Sequence, residues 1–357
     1  MTNEALAQYA NLSLYSAMAV FTLAMVGYAL YLAGLVPHRD RAAAAVRDEQ
    51  AARARALVSA GMPGGGVTGV DAQVGAGSAG SGVGTDGADG AAGAAGADAS
   101  AVDEKEQVSA RARKAAGIAG TLTWLGGFLL VVSAVLRGAS VQRWPLGNMF
   151  EFAVVGAMFT ILAFSIWSTR RDLRWLGLFV VGPVLLTLGL AITVWYTEAA
   201  ELLPSLKSVW LAIHVTVATL ATGLFAIAAS ATGIYLVKDA FQRSGRRSVL
   251  DRFPDAPVIE RLAYGLHIVA FPLWTFTLIA GAIWARQAWG AYWNWDPKEV
   301  WTFVIWVVYA AYLHARATSG WSRQSANYIA LAGWACIVVN YTVVNMFFVS
   351  QHSYSGL

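Results

Sequence analysis

Residues 289–301, Trp289-Gly-Ala-Tyr292-Trp293-Asn-Trp295-Asp296-Pro297-Lys298-Glu299-Val-Trp301, set four tryptophans and a tyrosine in a polar turn between two long apolar segments. Tryptophans that only mark a membrane surface are scattered round the edge of a helix bundle. Here they are concentrated in one loop, among Gly, Asn and Asp residues that supply turns and hydrogen bonds. Such a loop predicts a platform for a flat apolar ligand, with a porphyrin as the leading candidate. His214, in Lys207-Ser-Val-Trp210-Leu-Ala-Ile-His214-Val, and His352, in Phe348-Val-Ser-Gln-His352-Ser-Tyr354, fall at the same membrane face as this loop. Neutral imidazole is a good axial ligand for haem iron, and two of them across a porphyrin plane make a six-coordinate site. Position alone also allows a hydrogen-bonded interface histidine at 214 and a surface residue of the C-terminal tail at 352.

The chain holds five histidines and one cysteine, so the remaining candidates are few. His314 lies near the far end of the segment that comes after the loop. At ~1.5 Å per helical residue it is about 20 Å deeper than the tryptophans and cannot serve the same site. An ionisable residue inside a membrane is a functional candidate by default, and the alternative is a simple interfacial histidine, since Arg316 follows closely. His267 is at a depth that would let it meet His314, with polar packing as the plainer reading. His38 borders a basic stretch and reads as a solvated surface residue. The single thiol, Cys336, excludes an intramolecular disulfide and a CxxC couple, and reads as a small packing residue. Asp296-Pro297-Lys298-Glu299 has an acid at the cap, proline at the first helical position and Glu three residues after the cap, which predicts a helix start with a capping box. Asn148-Met-Phe-Glu151 repeats the cap-plus-three spacing. Lys298 or Arg286 could meet anionic groups of a bound ring, although an outer cation is more often a surface anchor.

The elements that carry these residues are membrane-length. Of the residues 57% are hydrophobic and 13% charged, and the mean hydropathy is +0.53, far more apolar than a soluble domain. Runs of about 20 apolar residues, enough for a ~30 Å hydrocarbon core, occur near Leu12 to Val36, Gly117 to Leu136, Met149 to Ser168, Trp175 to Trp195, Val209 to Val237, Leu262 to Ala285, Val300 to His314 and Asn327 to Val349. Their continuity excludes the alternating strands of a membrane barrel. The expected fold is therefore all-α, a polytopic membrane protein of about eight spans. Placing alternate connections inside leaves only Arg137, Arg143, Lys207, Arg286 and Lys298 of the 25 Lys and Arg on the opposite face. By the positive-inside rule both termini and the tryptophan loop are expected outside. The basic balance is accounted for by topology and does not call for nucleic acid. The N-terminal span, residues 1–37, lacks the basic start of a signal peptide and is expected to be retained. Residues 38–116 form a cytoplasmic connection. Within it residues 42–55 have helical potential, whereas 61–100 are Gly, Ala, Ser, Asp and Val and lack the large side chains that would offset chain ordering. That leaves residues 117–357 as a seven-helix domain, with the aromatic loop near 284–301.

At this level of detail the chain resembles the haem-handling proteins of cytochrome c biogenesis that carry a tryptophan-rich WWD domain, in particular the CcsA/ResC type of system II. The segment Gly281-Ala-Ile-Trp284 through Trp301 to Tyr312-Leu-His314-Ala-Arg316 carries the resemblance, with Trp144-Pro-Leu-Gly-Asn148-Met-Phe-Glu151 and the surroundings of His214 and His352. It covers roughly Arg143 to the C-terminus. The resemblance implies that His214 and His352 are paired outer ligands of haem b and that Trp289, Trp293, Trp295, Asp296 and Trp301 belong to the loop that holds it. It implies that His314 serves an inner site completed by a CcsB/ResB-type membrane subunit. It also implies cytochrome c synthase activity as part of that complex, apocytochrome c bearing CxxCH as the acceptor, a thioredoxin-like thiol reductant as a further partner, and a bacterial plasma-membrane location with the active face outside. His267 matches no family motif position, and the Gly/Ala-rich connection is a departure.

Two other classes fit the histidines less well. A haem-bearing subunit of a quinol-linked oxidoreductase would pair histidines on facing helices within the membrane, whereas here the best pair flanks an exposed loop. A transporter of another planar solute would leave the histidines incidental.

Overall fold

The computed structural model describes residues 3–35, 47, 49–53, 55, 110–200 and 208–352. Its contacts divide the chain into two units, residues 1–35 with 110–357, and residues 36–109. In the second unit the described residues between 47 and 55 are helical, with an exposed Glu49–Arg53 pair at 2.7 Å one turn apart. The Gly/Ala-rich segment 61–100 and His38 lie outside the described residues.

The described part of the larger unit is helical, without a strand. Eight of its helical segments are long and apolar enough to cross a membrane: α1 Glu4–Ala33, α2 Ala110–Ser140, α3 Met149–Ser168, α4 Gly177–Thr193 with a 3-10 turn before it, α5 Val209–Arg243, α6 Ala256–Trp289, α7 Pro297–Ala317 and α8 Arg323–Val339. At 35 and 34 residues, α5 and α6 are each about 50 Å long and must project beyond a ~30 Å hydrocarbon core. Helices in lipid gain little from the hydrophobic effect and associate through close packing at small residues. That is how α1 meets α2 and α4: a Cβ added to Gly126 would lie 2.4 Å from the Phe21 ring, and one added to Gly177 would lie 2.3 Å from Tyr28. The interior of α5, α6, α7 and α8 is aromatic. Phe225 of α5 stacks on Tyr309 of α7 with centroids 3.9 Å apart, and Gly333 of α8 leaves room for that tyrosine, since a Cβ there would approach its ring to 2.9 Å.

Two irregularities position the end of the bundle that carries the tryptophan loop. First, α6 stops at Gly290, whose φ of 81° suits glycine, and the chain restarts at α7 through the capping box foreseen from the sequence. Asp296 Oδ1 accepts the Lys298 N–H at 3.0 Å, and Glu299 Oε2 accepts the N–H groups of Asp296 and Asn294 at 3.1 and 2.8 Å. Second, α8 widens into a π-turn, Asn340–Val344, before a last short helix, Asn345–Phe347. Such turns insert a residue, re-aim the next stretch of chain and are frequent at functional sites. Here the Asn340 carbonyl accepts Lys298 Nζ of α7 at 2.7 Å.

Candidate functional site

His214 is on the second turn of α5. Its Nδ1 is 2.9 Å from the carbonyl oxygen of Thr277 on α6. A carbonyl can only accept, so Nδ1 carries the proton and the ring's lone pair is on Nε2. Gly281, one turn on from Thr277, makes the approach possible: a Cβ there would lie 2.8 Å from His214 Cε1. His352 comes after the short helix that succeeds the π-turn. Its Nδ1 is 3.0 Å from Asp296 Oδ1, and Asp296 Oδ2 accepts the Gln351 N–H at 2.7 Å. Burial pushes the Asp296 carboxyl up, but the hydrogen bond from His352, the Gln351 N–H, the charge of His352 and the Lys298 N–H together outweigh it and hold the group below its ordinary value. The carboxylate is therefore ionised at neutral pH and accepts from His352 Nδ1–H, which puts that ring's lone pair on Nε2 as well. An imidazole with Nδ1–H fixed by a carbonyl or carboxylate is the arrangement that orients a metal-ligating histidine.

Both rings lie against Trp284. His214 lies nearly parallel to its indole, at 16° and 6.1 Å between centroids, and His352 meets it edge-on at 5.6 Å. Trp289 packs edge-on against His352 at 4.6 Å and against Trp284 at 4.7 Å. His214 and His352 both line one cavity of about 1210 Å³, counted out to its open mouth, walled mainly by apolar and aromatic groups from α3, α5, α6, α7 and α8. A flat apolar wall with two imidazoles, each holding its proton on Nδ1, suits a flat apolar ligand.

The residues singled out by sequence fall at graded distances from this cavity. His214, His352 and Trp293 line it. Asp296 is buried behind His352 as its acceptor, and Trp289 braces that ring. Trp295 is 76% exposed, with a φ of 58°, and touches the cavity wall through an edge contact with Trp293 at 5.8 Å. Trp301, on the second turn of α7, is half-buried and outside the lining. His314 is exposed at the other end of α7, away from this cavity. His267 is not near it: buried in α6, its Nδ1 donates to the Ala263 carbonyl at 2.8 Å and its ring packs against Tyr312 and Tyr309 at 4.7 and 5.5 Å. Lys298, read from sequence mainly as a surface anchor, instead turns inward to Asn340 and forms part of the cavity wall.

Sequence reasoning passed over two features. Trp284 is almost fully buried and in ring contact with both imidazoles; its signal is the i, i+3 spacing from Gly281 that puts both on the face toward His214. Glu151 is more than a cap partner. Asn148 Oδ1 does accept the Glu151 N–H at 2.9 Å, but the Glu151 carboxylate, wholly buried, also binds Arg137 Nε at 2.9 Å, Arg143 at 2.7 Å and the Gly147 N–H at 2.7 Å. That cluster ties the end of α2 and the turn before α3 to the segment 146–152 that forms one side of the cavity.

Eight membrane-length helices, five of which line a cavity that holds two oriented imidazoles, define a multi-pass helical membrane protein. Residues 143–351 match the cytochrome c assembly protein family. The cytochrome c biogenesis protein CcsA of Guillardia theta is 33% identical over 242 residues, covering 60% of this chain and 77% of the relative. That of Picosynechococcus sp. is 32% identical over 289 residues, covering 62% and 83%. The chain belongs to this family, as a CcsA-type cytochrome c biogenesis protein.

Proposed function

We propose that this protein holds haem b between His214 and His352 at the outer membrane face and presents it for covalent attachment to the CxxCH motif of apocytochrome c. The observation that carries this reading is the pair of imidazoles, each with Nδ1–H committed to an acceptor, lining one aromatic cavity. In the attachment each cysteine S–H adds across one haem vinyl group, sulfur to one carbon and hydrogen to the other, so the addition itself needs no oxidant. The chain's own part is to bind and orient. Holding two reactants in register can be worth a great deal by itself, with effective molarities of about 10⁵ M or more in favourable cases. No activated nucleophile is needed from this chain, because the nucleophiles arrive on the substrate.

His314 is the candidate for an inner site. It is exposed on α7, where a CcsB/ResB-type membrane subunit could supply the second ligand. Haem would enter there and move outward to the cavity. A thioredoxin-like reductant would keep the acceptor thiols reduced, and the complex would act as a cytochrome c synthase in a bacterial plasma membrane, with both termini and the cavity mouth outside. Residues 1–37, 38–116 and 117–357 then serve as an N-terminal span, a cytoplasmic tether and the haem-handling domain.

The test is covalent haem attachment to a CxxCH reporter in cells without their own maturation system, with this chain alone, with a ResB-type partner, and with neither. Attachment that requires this chain and is lost on His214→Ala or His352→Ala supports the reading. Attachment that persists in both variants contradicts it.

A further inference from the structure

We infer that Lys298 recognises a carboxylate on the ring bound in the outer cavity, and so sets the rotation of that ring about the axis through the two imidazoles. This deepens the reading of the cavity as a haem site and rests on it.

Lys298 is in the first turn of α7, where a cation is disfavoured because the helix N-terminus carries the positive end of the backbone dipole. A lysine there needs a separate reason. Its side chain does not reach for solvent. It runs inward as part of the cavity wall, and its Nζ donates to the Asn340 carbonyl at 2.7 Å. One neutral acceptor occupies one of three ammonium donors. Among the described residues no carboxylate lies within 4.0 Å of Nζ. Asp296 acts on it only at longer range, and that carboxylate is committed to His352, to the Gln351 N–H and to the Lys298 N–H.

Glu299 is the other charged group in the wall. Its Oε2 is held by the N–H groups of Asn294 and Asp296, its Oε1 is buried without a hydrogen-bond partner, and neither oxygen forms an ion pair with the ammonium. The wall is otherwise mainly apolar, and in such surroundings an ammonium without a counter-charge is costly unless an anion joins it. The π-turn matters here, because it turns the Asn340 carbonyl toward α7 and anchors the lysine where a ligand in the cavity can reach it.

A porphyrin with carboxylate side chains on one edge supplies that anion. Lys298 then holds the carboxylate edge at the α7–α8 wall, which fixes where every other substituent of the ring points. A tetrapyrrole without free carboxylates would keep its iron ligation and lose this contact.

The experiment is a spectral titration of the purified full-length protein with ferric protoporphyrin IX and with its dimethyl ester, for the native chain, Lys298→Met and Lys298→Arg. A charge-assisted hydrogen bond of ordinary strength corresponds to about tenfold in affinity. The expected result is a native preference of about tenfold for the free acid, lost in Lys298→Met because the acid weakens to the level of the ester, and kept in Lys298→Arg. The ester should bind the native chain and Lys298→Met equally. Equal native affinity for acid and ester, with the His-dependent low-spin spectrum intact, would overturn the role of Lys298 alone. So would a Lys298→Met variant that loses as much affinity for the ester as for the acid, since the lysine would then act only through Asn340. Absence of a His-dependent low-spin spectrum with either ring would remove the haem reading itself, and this inference with it.

Discussion

Two histidine regions of this protein use similar parts to opposite ends. Beside the tryptophan loop His214 and His352 each fix Nδ1–H on an acceptor and line a cavity with their neighbouring rings to one side. Deeper in the bundle His267 also fixes Nδ1–H, on the carbonyl of Ala263 one turn earlier, but its remaining nitrogen is buried without a hydrogen-bond partner and Phe225, Tyr309 and Tyr312 surround the ring. Small residues shape the two surroundings differently: Gly281 lets His214 stand against α6 beside the cavity, whereas Gly333 lets Tyr309 fill the interior.

The contrast is most vulnerable at the outer pair. His214→Ala and His352→Ala are each expected to remove nearly all haem that copurifies with the full chain, measured by pyridine haemochrome, with the amount of folded protein unchanged. Retention near the native level in both would put the two regions on the same footing. Gly281→Ala comes next. Its methyl group would lie 2.8 Å from His214 Cε1, and overpacking of this kind costs about 1–3 kcal/mol. Haem affinity should fall by about tenfold while thermal stability changes little, because the imidazole can yield toward the cavity.

Asp296→Asn probes the difference from His267, whose acceptor is a neutral carbonyl. Asparagine can still cap α7 but loses the charge behind His352, and loss of such an outer partner lowers metal affinity by about 10–100-fold. The sign of the pH dependence comes from the lowered carboxyl value in the folded protein. The stability advantage of the native chain over the variant is complete above the ordinary value of 3.8 and disappears as pH falls through the lowered one. An advantage that instead grew on acidification would contradict an ionised Asp296. The smallest effect on binding is expected from His267→Phe. It should leave haem content and spectrum as they are and alter thermal stability by about 1 kcal/mol or less, since it removes a buried nitrogen that has no partner. Loss of haem in that variant would make His267 a functional residue after all.

The sequence was informative where the physics is local. Membrane-length runs marked all eight helices, although α2 extends from Ala110 to Ser140 where the apolar run covered only Gly117 to Leu136. Helices continue past the hydrocarbon wherever charged residues are good helix formers, and Ala110-Arg-Ala-Arg-Lys-Ala is such a stretch. The α7 cap was readable from Asp296, Pro297 and Glu299 because capping is decided within four residues. The features that escaped depend on which elements face each other. Trp284 looked like one more aromatic in a tryptophan-rich segment until α5 came to lie beside it. Lys298 looked like a surface cation because the π-turn that receives it is forty residues away in the chain. Arg137 and Arg143 counted as outer basic residues, yet both are spent on Glu151 inside the protein, where removal of a buried partner typically costs about 3–5 kcal/mol.

The most direct test of the central claim is the coordination state of iron in the purified full-length protein loaded with haem b, read by electron paramagnetic resonance and visible absorption. Shared ligation by His214 and His352 predicts a six-coordinate low-spin signal in the native chain, a high-spin signal in His214→Ala and in His352→Ala, and recovery of the low-spin signal in each variant on adding imidazole. A native chain that is high-spin, or a low-spin signal that survives either substitution without added imidazole, would contradict it.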